Sequence, residues 1–86
     1  MPMMTTAHIL GRNVRAARLA RDYNKVQFCL TVGISRPLLD LIETGGSNLM
    51  LEKLVRIAEV LEVEPWELLY DGFDPYRIRV RHAQTQ

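Results

Sequence analysis

The segment Val32-Gly-Ile-Ser-Arg-Pro-Leu-Leu-Asp-Leu-Ile-Glu-Thr-Gly45 carries its own start and stop signals, and these leave little freedom for what surrounds it. Gly33 is able to take the left-handed conformation that closes a preceding helix. Ser35 is a cap for a new helix, and Pro37 falls in its first turn, where a missing amide costs nothing. Leu39 and Ile42 stand three apart on one face, and Gly45 provides the exit. A helix of about nine residues is not stable alone in water, so this one must be packed on neighbours. Burying Leu39 and Ile42 leaves Arg36, Pro37, Asp40, Leu41 and Thr44 on a second face that is free to act.

The neighbours are legible on both sides. Thr6 predicts the cap of a first helix whose apolar positions Leu10, Val14 and Ala17 repeat at helical spacing to about Arg21, with Arg12, Arg15 and Arg21 off that face. Asn24, with Gln27 three residues on, is a variant capping box that opens a second helix running through Val32, with Phe28 and Cys29 inward. Beyond the loop Gly46-Ser47-Asn48, Leu51, Leu54, Val55, Ala58 and Leu61 form the inner stripe of a fourth helix; Glu52, Lys53, Arg56, Glu59 and Glu62 lie opposite. On that register Ile57 and Val60 project partly away and leave apolar surface for a second copy. Val63-Glu64-Pro65 breaks this helix, and Pro65 opens a fifth short one, Trp66 to Tyr70, ended near Gly72.

After Asp74-Pro75 the period changes. Tyr76, Ile78 and Val80 alternate with Arg77, Arg79 and Arg81, a strand pattern with one apolar and one basic face. A lone strand has no sheet to join, so it is either a frayed basic tail or pairs with its own copy across a two-fold axis. The expected organisation is an N-terminal extension at 1–6, one domain at 7–72, and a basic tail at 73–86 that is a candidate dimerisation strand. Trp66, Tyr76, Ile78 and Val80 are the candidate dimer contacts.

With 86 residues, 48% of them hydrophobic, the chain supports one small core and no second one. Without a long apolar run or a basic leader at Met1 to Thr6, the expected location is the cytoplasm, with no membrane partner. Cys29 is the single cysteine, and His8 and His82 are too few to complete a zinc site with it. It reads as a small core side chain. There is no nucleophile and base pair, no cluster of metal ligands and no glycine-rich phosphate loop, so neither an enzyme nor a cofactor is expected.

Charge is unevenly spread. Arg12, Arg15, Arg18, Arg21, Lys25 and Arg36 face only Asp22 in residues 1–36, whereas acidic residues dominate from Asp40 to Asp71. This fits two surfaces with different partners, and it also fits ordinary solvated helix faces.

Two short helices joined at Gly33, then Ile34-Ser35 and Ile42-Glu43-Thr44-Gly45, resemble the helix-turn-helix of the lambda repressor-like family, also called the xenobiotic response element family. The resemblance covers about residues 10–69. It implies an all-α, five-helix DNA-binding domain, here with a short C-terminal strand or tail, whose third helix enters the major groove of double-stranded DNA. Such a protein is usually a homodimeric transcription regulator on a two-fold operator. Carried over residue by residue, the family pattern puts Asn24 and Lys25 on phosphates. It puts Ser35, Arg36, Pro37 and Leu41 against bases or backbone, and Thr44, Gly46, Ser47 and Asn48 along the second strand. Arg18 and Glu43 are implied to form an ion pair. Lys25, Cys29, Leu49 and Glu62 depart from the family's usual glutamine, alanine, proline and glycine. Pro37 and Leu41 offer no hydrogen bonds to base edges, and Asp40 stands where it could hold Arg36 as an intrahelical pair. The competing reading is a protein-binding module, an antitoxin-like adaptor, that uses Pro37, Leu38 and Leu41 as an apolar patch.

Overall fold

The structure, a computed structural model, describes residues 5–46 and 49–76. Its elements are α1 (Thr6–Ala20), α2 (Lys25–Val32), α3 (Arg36–Glu43), α4 (Leu51–Leu61) and a 3-10 helix (Pro65–Leu69). Two of the helix starts are those that the sequence spells out. Asn24 Oδ1 accepts the Gln27 amide at 2.7 Å while Gln27 Oε1 accepts the Asn24 amide at 3.1 Å, and Ser35 Oγ accepts the Leu38 amide at 3.1 Å. Gly33 closes α2 at φ 89°, the left-handed value that a side chain would strain. The first helix begins one residue earlier than predicted: Thr5, not Thr6, is the cap, its Oγ1 accepting the His8 amide at 3.2 Å. Either of two adjacent threonines is chemically competent there, and the helix takes the longer option.

Phe28, Leu39, Ile42, Ile57, Leu61, Leu68 and Val14 are fully buried and form the centre of the core. The fourth helix is rotated from its predicted register. Ile57 is fully buried, whereas Leu51 is 72% exposed and Val55 is also exposed. The inner stripe is Leu54, Ile57, Ala58 and Leu61, spaced three, one and three. This helix packs on α1, α2 and the 3-10 helix together, so it buries the face that reaches all three. Its surplus apolar surface is therefore at Leu51 and Val55.

The fifth element is a 3-10 helix in place of the predicted α-helix. Asn13, itself buried, explains how so short a piece is held. Its side-chain amide donates to the carbonyls of Leu68 at 3.0 Å and Tyr70 at 2.9 Å, fastening the end of the element to α1. Arg21 Nη1 donates to the Pro75 carbonyl at 2.8 Å and holds the start of the tail in the same way. No strand occurs among the described residues, and the predicted strand positions Ile78 and Val80 lie outside them. No helix among the described residues is long and apolar enough to cross a membrane.

Candidate nucleic-acid interface

Arg18 fixes where α3 sits. Its guanidinium grips Glu43 with two bonds, Nε to Oε2 at 2.7 Å and Nη2 to Oε1 at 3.2 Å, and Nη1 donates to the Tyr23 carbonyl at 2.9 Å. Both side chains are only 5% exposed. A planar fork matched to a carboxylate leaves one geometry, so the last turn of α3 is locked to α1 and to the turn that leads into α2.

What this lock presents outward is the α3 face carrying Arg36, Pro37, Asp40, Leu41 and Thr44, all exposed. Arg36 makes no hydrogen bond or ion pair among the described residues. Asp40 does not hold it. Asp40 Oδ1 instead accepts from Lys25 Nζ at 2.8 Å, across the gap between α3 and the start of α2. An arginine four residues before an aspartate is the less favourable order for an intrahelical pair, and Lys25 offers a hydrogen-bonded partner from α2, so Arg36 acts on the carboxyl only through its charge. The hydrogen bond and charge of Lys25 hold the Asp40 carboxyl below the usual aspartate range.

The remaining candidates differ in what they have left to offer. Asn24 spends its side-chain oxygen on the cap, which leaves its amide hydrogens as donors, and Ser35 likewise keeps its hydroxyl proton. Thr44 turns its hydroxyl back to the Asp40 carbonyl at 2.9 Å, so it presents a methyl group and oxygen lone pairs. Ser47 and Asn48 lie outside the described residues. Arg15, absent from the sequence-based set, joins Lys25, Asp40, Glu43 and Thr44 around one hollow between α1, α2 and α3. The signal for it was its position one turn before Arg18, off the apolar stripe.

The candidate dimer contacts stand elsewhere. Trp66 is 60% and Tyr76 is 76% exposed, and Trp66 meets Tyr70 edge to face with ring centroids 6.1 Å apart. Cys29 is buried against the core, and burial pushes its thiol up, away from the reactive thiolate. No group of three or more metal-ligating side chains forms among the described residues.

A pair of capped helices joined at a left-handed glycine, with the second helix locked from behind and open in front, defines a helix-turn-helix domain of the DNA-binding class. The family model for helix-turn-helix proteins, HTH_3, matches residues 14–68, and the chain belongs to that lambda repressor-like family. No curated protein matches the sequence. Among solved structures it is similar to the restriction-modification controller protein C.AhdI from Aeromonas hydrophila (TM-score 0.68, 23% identity), over 74% of this chain and 96% of that one. It is also similar to the clp gene regulator ClgR from C. glutamicum (TM-score 0.74, 19% identity), over 79% of this chain and 87% of that one. A third is the hypothetical transcription factor NHTF from Neisseria (TM-score 0.72, 20% identity), over 81% and 86% of the two chains. At these identities the likeness is one of fold.

Proposed function

We propose that this protein is a sequence-specific transcriptional regulator that places α3 in the major groove of double-stranded DNA and acts as a homodimer on a two-fold operator. The observation that carries the reading is Arg36, a guanidinium exposed and without a hydrogen-bond or ion-pair partner among the described residues, at the first turn of a helix whose inner face is locked by Arg18 and Glu43. A free guanidinium there is suited to the two acceptors of a guanine edge. Phosphates are assigned to the amide hydrogens of Asn24, to Lys25 and Arg15, and to the start of α2, where backbone amides and the helix dipole favour an anion. Ser35 approaches the backbone from the N-terminus of α3, Pro37 and Leu41 touch base edges or thymine methyl groups, and Thr44, Ser47 and Asn48 follow the second strand. The regulators among the structural neighbours support the same class.

The second reading rests on Leu41, 48% exposed on the same face and adjacent to the exposed Pro37. An apolar pair there equally suits a protein partner. Random-sequence selection at moderate salt, together with binding to the gene's own promoter region, separates the two. A recovered motif that Arg36→Ala degrades supports the regulator. No motif, with Arg36→Ala binding like the parent, leaves α3 as a protein-binding surface.

A further inference from the structure

Asp40 is an unexpected residue for a surface that meets DNA. It occupies the middle of the open face of α3, one turn after Arg36 and one turn before Thr44, with half of its side chain exposed. A bare carboxylate there is repelled by every nearby phosphate. It is not bare, because Lys25 Nζ sits 2.8 Å from Oδ1. An ammonium has three hydrogens, and one bond to Asp40 leaves two for a phosphate oxygen. Lys25 can therefore hold the DNA backbone with one side and the carboxylate with the other, while the second oxygen of the half-exposed carboxylate has no hydrogen-bond partner among the described residues.

Resting on the regulator reading above, we infer that Asp40 is a specificity-determining residue that accepts a hydrogen bond from the exocyclic amino group of a cytosine, with Lys25 bridging its carboxylate to a neighbouring phosphate. The choice of base follows from what an ionised carboxylate lacks. It has no donor, and an exposed aspartate is ionised at neutral pH, with the Lys25 hydrogen bond shifting its titration further down. In the major groove guanine shows two acceptors, and thymine shows an acceptor and a methyl group. Adenine shows an amino group but sets the N7 acceptor beside it, where it opposes the second carboxylate oxygen. Cytosine shows the amino group with no adjacent acceptor on its edge. Asp40 thus admits cytosine and disfavours guanine and thymine by leaving lone pairs facing lone pairs. With Arg36 suited to guanine one turn away, α3 reads G·C pairs by two complementary chemistries.

The test uses the full-length protein and its selected site. Random-sequence selection is run on the parent, Asp40→Ala and Asp40→Asn, with the helical circular dichroism signal checking that each variant folds. The expected result is one position that is cytosine for the parent and loses that preference in both variants. Replacing that cytosine by 2-pyrimidinone, which lacks only the amino group, should weaken the parent by about tenfold and leave Asp40→Ala unchanged. If both variants recover the parent motif and change affinity uniformly, Asp40 only holds Lys25 and the inference falls while the regulator reading stands. If the parent itself recovers no motif, the regulator reading falls and takes the inference with it.

Discussion

Gly11 of α1 lies so close to Ile42 of α3 that a Cβ atom on it would stand 2.2 Å from the Ile42 carbonyl oxygen. The obstacle is backbone, and it belongs to the last turn of the helix that Arg18 and Glu43 lock. Alanine is otherwise the better helix former by about 1 kcal/mol. Here the overlap wins, because α1 and α3 have to separate or twist to relieve it. Gly11→Ala should lose about 1 to 3 kcal/mol of stability overall, seen as a lower midpoint in urea. A melting temperature at or above the parent's would show that the two helices slide apart freely.

The Arg18 and Glu43 pair should behave unlike the surface pairs. Removing Glu43 leaves a guanidinium that is 4% exposed as a residue without its counter-charge. Glu43→Ala should therefore cost about 3 to 5 kcal/mol. A domain of this size has about 5 to 15 kcal/mol in total, so the loss is a large share of it and the melting temperature should fall well below the parent's. Asp71→Ala breaks the Arg12 pair, whose side chains are 47% and 64% exposed, and should cost no more than about 1 kcal/mol. Thermal melts of the two variants side by side check the contrast. A Glu43→Ala melt within a degree or two of the parent's would mean that Arg18 is resolvated at little cost.

A departure from the family pattern identifies a position open to improvement. Glu62 ends α4 at φ 61°, in the left-handed region where the family often has glycine. A side chain there costs about 1 to 2 kcal/mol of local strain. Glycine removes the strain but adds freedom to the unfolded chain, an opposing effect of about 0.4 to 1 kcal/mol. Glu62→Gly should stabilise the protein by about 1 kcal/mol or somewhat less, raising the melting temperature by several degrees. An unchanged or lower melting temperature would show that Glu62 is favoured by contacts that glycine cannot replace.

These residues also show what the sequence could and could not reveal. Caps and exits are local, so Asn24 with Gln27, Gly33, and Ser35 with Pro37 mark their own places without knowledge of the rest. The rotation of α4 is not local. Leu51 and Val55 are as apolar as Ile57, and only the three-sided packing on α1, α2 and the 3-10 helix selects the stripe. Asn13 was invisible for the same reason: its partners, the Leu68 and Tyr70 carbonyls, are more than fifty positions away. In the candidate site, the residues of the open face were legible from α3 alone. The Lys25 and Asp40 pair was not, because an i, i+4 partner was available in Arg36 and only the crossing of α2 over α3 decides against it.

Association should depend on the tail. Trp66 and Tyr76 expose aromatic surface, and the alternating segment beyond Tyr76 carries apolar residues at Ile78 and Val80. Pairing with a second copy would bury these groups and satisfy strand backbone at the same time. Deleting residues 74–86 should weaken or abolish the dimer in sedimentation experiments, and Trp66→Ala should weaken it further. Unchanged association of the truncated chain would remove the tail from the interface.

Arg36 and Lys25 should separate specificity from affinity. If Arg36 reads a base edge as proposed, Arg36→Ala should cost about 1 to 3 kcal/mol at the preferred site and relax discrimination at one position, with little effect on unrelated DNA. The proposed role of Lys25 on DNA is the phosphate contact, made while it holds Asp40. Replacing Lys25 by alanine should weaken all sequences and flatten the dependence of binding on salt by about one unit of slope, because one fewer counterion is released. Leu41→Ala divides the two functional readings: a thymine methyl contact gives a modest loss at one base position, whereas a protein-docking role leaves DNA binding untouched and abolishes capture of the partner. The decisive measurement is a salt titration of each variant on the selected site and on a scrambled one. If Arg36→Ala loses equally on both, its guanidinium is a phosphate contact, and readout on α3 falls to the remaining open-face residues.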